Sequence, residues 1–231
     1  ISSCAGCFKT IIQDYPKIKP LNFEVLHTVE YLARLLKTGE LTFIHPVDKK
    51  VTFHDPCHLG RATGGFDAPR MIMEAIPGLT LVEMPRNREY SRCCGAGGGL
   101  KAGFPEIQGR MSQRRIKEAE QTGAQDLVSC CPFCFQGLQV GIGVLESDIV
   151  MKDLSAYIAE SILGYDIFEK AAREAEEKKQ AKEEARAKQK LEEEKKENEK
   201  KKAQEQEKVA EKKNSDEKEL ADEKEQADTA E

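Results

Sequence analysis

Tryptophan is absent from this chain, and aromatic residues make up 6% of it against 33% charged residues. No apolar run reaches the 18 or so residues that a membrane span needs, so no span is expected. Nor does a charged stretch lead into a short apolar segment, so no signal peptide is expected either. Without a secretion signal, and with long periodic helical segments, a disulfide-stapled extracellular scaffold is a poor explanation for the eight cysteines. Acidic and basic residues nearly balance, at 41 and 36, and no nucleic-acid partner is expected.

The averages hide two different polymers. Residues 1–168 hold all eight cysteines and enough apolar residues for one ordinary core. Residues 169–231 hold 22 acidic and 18 basic residues, which leaves too little apolar surface to build a core. Large aliphatics beyond Phe168 are limited to Leu191, Val209 and Leu220, at spacings that support no coiled-coil seam. Residues 169–231 therefore read as a charged tail, a solvated helix or a disordered segment, with a partner-binding arm as the alternative.

Within the body, short β-prone runs stop at cysteine-bearing turns: "KVTFHDPC" (50–57), "LTLVEMP" (79–85) and "DLVSCCPFC" (126–134). Between them lie segments with helical spacing. "NFEVLHTVEYLARLLKTG" places Val25, Leu26, Val29, Leu32, Leu35 and Leu36 on one face and stops at Gly39. "DAPRMIMEAIPG" offers Asp67 as a cap and a Pro77-Gly78 stop. "PEIQGRMSQRRIKEAEQTG" reads as a polar-faced helix, and "DLSAYIAESILG" closes the body. The alternation predicts an α/β fold, a small parallel sheet flanked by helices, with functional groups at the carboxyl ends of the strands.

Cys57 is followed by 35 residues, the pair Cys93-Cys94, 36 residues, then Cys131 and Cys134. A parallel sheet would bring these five thiols to one edge. A structural zinc site usually uses two close pairs, which this spacing does not match. A thioredoxin-like site would explain "CPFC" and leave three cysteines unused. An iron-sulfur cluster accounts for all five. "GAGGG" after Cys94 lets a bulky group approach the backbone, and its N–H groups, those of Gly95 and Gly97 among them, can point at sulfur. As a nucleotide fingerprint the stretch fails, because Leu100 stands where the third glycine belongs.

"HDPCH", "CCGAGGG" and "CPFC", in this order and spacing, resemble the cysteine-rich CCG domain of heterodisulfide reductases and related iron-sulfur oxidoreductases. Together with "DAPR" and "VEMPRNRE" they look most like the D-subunit branch of the heterodisulfide reductases, over about residues 1–165. The resemblance implies a noncubane [4Fe-4S] cluster held by Cys57, Cys93, Cys94, Cys131 and Cys134. It implies reduction of the mixed disulfide of coenzyme M and coenzyme B to two thiols, with electrons from a membrane cytochrome or another redox subunit. The alternative within the family is an electron-transfer iron-sulfur subunit of a lactate, glycolate or glycerol-3-phosphate dehydrogenase, or of a sulfate-reducer membrane complex. Such proteins carry two CCG domains. "SSCAGC" resembles the end of the first, so Cys4 and Cys7 would hold part of a second cluster whose other ligands lie upstream of Ile1. On this reading residues 1–45 are the end of a truncated first domain with a linking helix, 46–168 are the second domain and 169–231 the tail. The expected location is cytoplasmic, at the inner face of a membrane through a partner.

Among the other residues, His58 and His54 flank Cys57, and imidazole titrates near neutrality, so either can protonate a leaving thiolate, with a hydrogen bond to the turn as the alternative role of His54. Lys101, Arg86, Arg88 and Arg92 lie near the paired cysteines in sequence and can receive the sulfonate and phosphate of the implied substrate. Cys130 is one thiol more than five ligands require; it reads as a small buried residue ending a strand, with replacement of Cys131 as the ligand as the alternative.

Overall fold

The computed structural model describes residues 1–167, 169–184 and 186–190. Ile1–Lys170 form one compact unit, and the chain from Ala171 onward belongs to another. The first unit is built on four parallel strands: β1 (Lys49–Phe53), β2 (Leu79–Leu81), β3 (Asp126–Ser129) and β4 (Val150–Asp153). Their order across the sheet is β2-β1-β3-β4. β3 is buried at every residue, and the inner half of β1 (Val51, Thr52, Phe53) is equally covered. Parallel sheets require such covering on both faces.

Eight helices fill out the unit among the described residues. They are α1 (Ala5–Gln13), α2 (Thr28–Thr38), the short α3 (Gly60–Thr63), α4 (Asp67–Ala75), the short α5 (Leu100–Gly103), α6 (Pro105–Glu120), α7 (Pro132–Leu145) and α8 (Leu154–Leu163). Ala5 and Phe8 of α1 and Val29 and Ala33 of α2 enter the same core as Phe53, Ile72, Ile116, Leu127 and Leu138. Residues 169–184 and 186–190 are helical and exposed throughout, while Leu191, Val209 and Leu220 lie outside the described residues.

Local chemistry explains the boundaries. α2 starts at Thr28 rather than at Asn22, because His27 and Glu30 close a reciprocal cap. The His27 ring accepts from Val29 N–H at 3.4 Å, and Glu30 accepts from His27 N–H at 2.9 Å. Gly39, at φ 75°, ends it as expected. Asp67 is the first residue of α4 rather than its cap, which is Phe66. The expected run 126–134 divides at Ser129. Cys131 becomes the cap of α7 and Pro132 its first residue, a position where the missing proline N–H costs nothing.

Strand order places the site. The chain leaves β1 toward β2 on one side and leaves β3 toward β4 on the other. The carboxyl ends of β1 and β3, hydrogen-bonded neighbours, therefore flank the crevice where the winding reverses. Cys57 follows β1 by four residues and Cys131 follows β3 by two.

Candidate metal centre

The five cysteines converge at this crevice. Cys57 Sγ and Cys93 Sγ are 3.8 Å apart, and Cys94 Sγ and Cys134 Sγ 3.4 Å apart. No pair is bonded, and all eight cysteines are free. Two sulfurs bound to one tetrahedral ion at about 2.3 Å would stand about 3.8 Å from each other, so the spacing suits a shared metal centre.

A buried polar framework holds the segments that carry Cys57, Cys93 and Cys94. Asp55 pins the turn that carries Cys57, accepting from Arg70 Nη1 at 2.8 Å, Arg70 Nη2 at 3.1 Å and Arg88 N–H at 2.9 Å. The Cys93-Cys94 loop is tied to α6 and α7 by Gln108, whose Nε2 donates to Cys94 O at 3.2 Å and Gly137 O at 2.9 Å. α7 comes close to that loop and to α6 because it carries glycine where it meets them. A Cβ on Gly137 would lie 2.6 Å from Ala96 Cβ, and one on Gly141 2.8 Å from the Ser112 carbonyl carbon.

The glycine loop divides its work. Gly95 adopts φ 76° and its N–H donates to Cys93 Sγ at 3.3 Å, while a Cβ there would meet Gln108 and Met111 at 3.3 Å. Gly97, Gly98 and Gly99 line the cavity beside the thiols, and a Cβ on any of them would meet nothing within 4 Å. Gly95→Ala is expected to cost about 1–2 kcal/mol through the left-handed backbone alone, readable as a lower denaturation midpoint.

The thiols share protons unevenly. Cys93 accepts from the Cys57 and Cys94 thiols and from Gly95 N–H, which holds it down to about 2. Cys57 is pushed up correspondingly, by its bond to Cys93 and by burial. The Cys134 thiol holds Cys131 down to about 6. Cys134 rises in exchange, through its bonds to Cys131 and Cys94. Cys94, although its contact with Cys134 works the other way, is pushed up to about 12 by Cys93 and burial. Cys93 and Cys131 are thus the two of the five that are pushed toward the thiolate. A cation entering among them would displace the remaining protons.

An open cavity of about 700 Å³ reaches all five cysteines. His58 and Lys101 line it, with Ala5 and Gly6 of α1 and Phe133 of α7. The arginines expected beside Lys101 do not. Arg86 and Arg92 pair with Glu118 at 2.8 and 2.6 Å, and Arg88 pairs with Asp67 at 2.7 Å. Neighbours in sequence, they are committed to carboxylates elsewhere in the fold.

The structure also separates the two histidines. His54 is fully buried, outside the cavity lining, and its Nδ1 accepts from Arg115 Nε at 3.1 Å. Burial, assisted by Arg115, holds the ring down to about 3, so at neutral pH it has no imidazolium proton to give. Cys130 is buried and lines a different hollow with His27 and Asp153. Cys4 caps α1, half-buried beside the exposed Cys7. Burial pushes the Cys4 thiol up, and the neighbouring Cys131 adds to the effect. Arg115 and Gln108 carry no signal in the sequence, and Asp55 shows there only as a letter of "HDPCH" with no role of its own; Arg115 sits in "QRRIKEAE", which reads as a solvated face.

Residues 51–139 match the cysteine-rich domain family CCG. The chain is 46% identical over 162 residues to the D subunit of the dihydromethanophenazine:CoB–CoM heterodisulfide reductase of Methanosarcina barkeri, covering 69% of this chain and 40% of that protein. It is 42% identical over 146 residues to the probable iron-sulfur-binding oxidoreductase FadF of Bacillus subtilis, covering 62% of this chain and 21% of that protein. A third relative is the B subunit of the fumarate reductase (CoM/CoB) of Methanothermobacter marburgensis, 38% identical over 134 residues, or 58% of this chain and 26% of that one. The chain thus spans two fifths or less of the length of these relatives. With the cysteine spacing, the parallel sheet and the converging thiols, the matches establish that the chain carries a CCG cysteine-rich domain and belongs with the iron-sulfur oxidoreductases that share it.

Proposed function

We propose that the chain is part of a heterodisulfide reductase-like iron-sulfur subunit that reduces a mixed disulfide to two thiols at a noncubane [4Fe-4S] cluster. Cys57, Cys93, Cys94, Cys131 and Cys134 would hold that cluster. The presence of His58 and Lys101 in the wall of the cavity that these five thiols line carries the reading, since a pure electron relay needs neither a proton donor nor an anion-binding charge beside its cluster. Two relatives bear CoM and CoB in their names, which supports the coenzyme M–coenzyme B disulfide as substrate. Cleavage of the S–S bond takes two electrons and two protons and releases both halves as thiols. Bound there, the cluster would supply electrons one at a time. The electrons come from a redox partner subunit, for which a membrane cytochrome is the proposed donor, at the cytoplasmic face. No helix among the described residues is long and apolar enough to cross a membrane.

Lys101 and His58 share the remaining work. Lys101 attracts an anionic substrate group into the cavity, and His58 delivers a proton to a departing thiolate. Cys4 and Cys7 are proposed as the last ligands of a first CCG domain. α1 brings Ala5 and Gly6 to the cavity wall, so that first site would adjoin the second.

Anaerobic iron and acid-labile sulfide analysis of the reconstituted chain, with electron paramagnetic resonance after oxidation with and without coenzyme M thiol, tests the reading. About four irons per CCG site with a thiol-dependent signal supports it. Iron without a thiol response favours electron transfer, and zinc without sulfide overturns both. Lys101→Ala is expected to raise the apparent KM for the disulfide about fivefold with kcat nearly unchanged, because one partly exposed charge contributes about 1 kcal/mol to attraction.

A further inference from the structure

His54 is the buried polar residue of the site left without a complete set of partners. Its backbone is locked to β3: His54 N–H donates to Val128 O at 2.8 Å, and His54 O accepts from Ser129 Oγ at 3.1 Å. The ring is 0% exposed. Nδ1 faces the guanidinium of Arg115, itself 0% exposed and fastened by three further bonds, to Arg86 O at 2.7 Å, Glu118 Oε2 at 2.9 Å and Ser91 Oγ at 3.1 Å. Nε2 is buried and has no partner within the protein. A ring nitrogen of His54, Cys94 Sγ and Cys134 Sγ all lie within 4.8 Å of one another.

Proximity alone would allow His54 to be a third metal ligand beside these two cysteines. Its tautomer argues otherwise. Guanidinium has donors and no acceptor, and stays protonated in proteins, so the nitrogen that faces it must offer a lone pair. The proton of the neutral ring therefore sits on Nε2. A ligand nitrogen would have to be bare.

Resting on the cluster reading above, we propose that His54 is a positioning residue whose Nε2–H donates a hydrogen bond to a sulfur of the group held by Cys94 and Cys134, with Arg115 fixing the donor tautomer. Such a bond draws negative charge off sulfur and favours the more negative, reduced state. Arg115 thereby acts on the site through His54, without contact with substrate.

Two measurements on the full chain test this. In the metal-free, ¹⁵N-histidine-labelled protein, the resonance lost in His54→Gln should show the Nε2–H tautomer; the Nδ1–H tautomer would overturn the proposal. In reconstituted protein, His54→Leu should lower the reduced-to-oxidised ratio at fixed potential about tenfold, equivalent to about 59 mV for a one-electron couple. His54→Gln, which can present an amide N–H, should recover much of that loss. Equal potentials in wild type and His54→Leu, both carrying iron and sulfide, would overturn the proposal and leave the cluster reading intact. If His54→Leu does not retain iron, deuterium decides on the wild type: exchange should shift the Fe–S stretching bands, and unchanged bands after full exchange would overturn the proposal. No iron or sulfide in the wild type sinks the cluster reading, and the proposal with it.

Discussion

Cys93→Ser is expected to reduce iron in the reconstituted chain from about four per chain to less than about one, with acid-labile sulfide falling in parallel. Cys93 has this weight because it sits between two neighbours, 3.8 Å from Cys57 Sγ and hydrogen-bonded within the pair to Cys94. It is also held as the thiolate, the form that binds metal, by those thiols and by Gly95 N–H. A serine hydroxyl at the same place stays protonated and binds iron poorly. Cys130→Ser is the control: it alters a buried cysteine beside a proposed ligand, yet its side chain lines another hollow. It is expected to retain iron and sulfide at a stability cost of about 1 kcal/mol. Equal iron loss in both variants would mean that fold disruption, rather than ligand removal, explains Cys93→Ser.

Asp55→Ala is expected to destabilise the chain by about 3–5 kcal/mol, seen as a large fall in the urea midpoint. Asp55 is 3% exposed and takes both terminal nitrogens of Arg70, whose side chain is 6% exposed. Removing the carboxylate leaves a buried guanidinium with Glu83, which is partly in water, as its remaining carboxylate partner. It also frees Arg88 N–H and the turn that carries Cys57. Replacing both partners, Asp55→Leu with Arg70→Met, should cost less than Asp55→Ala, because no unpaired charge then remains buried. Iron retention should stay low in the double variant, since the Cys57 turn has lost its anchor. A double variant as unstable as Asp55→Ala would instead assign the cost to lost packing.

Much of the architecture is legible in the sequence because it is local. Three of the four strands, and α2, α4, α6 and α8, follow from apolar period and from glycine or proline stops that act within a few residues. β4 escapes a sequence reading because "VMKD" is four residues long, with one of them fully buried, and its pairing with β3 is a tertiary property. The start of α7 reads as strand because "DLVSCCPFC" is a continuous β-prone run. The helix that begins at Pro132 packs against the Cys93-Cys94 loop through Gly137 and against α6 through Gly141, contacts that a one-dimensional pattern does not display.

The candidate site divides along the same line. Its chemistry is written in the chain: five thiols at characteristic spacings, a glycine run without side chains, and a histidine next to the first thiol, all properties of residue type and order. Which of these groups meet is decided by the strand order β2-β1-β3-β4, which brings the ends of β1 and β3 together across more than seventy residues of chain. Tertiary structure likewise turns Arg86, Arg88 and Arg92 toward carboxylates, leaves Lys101 at the cavity, and places Arg115 against His54 from 61 residues away. Side-chain chemistry belongs to each residue wherever it stands. Burial, proton sharing and the tautomer of a ring arise only when distant groups are packed beyond the reach of water.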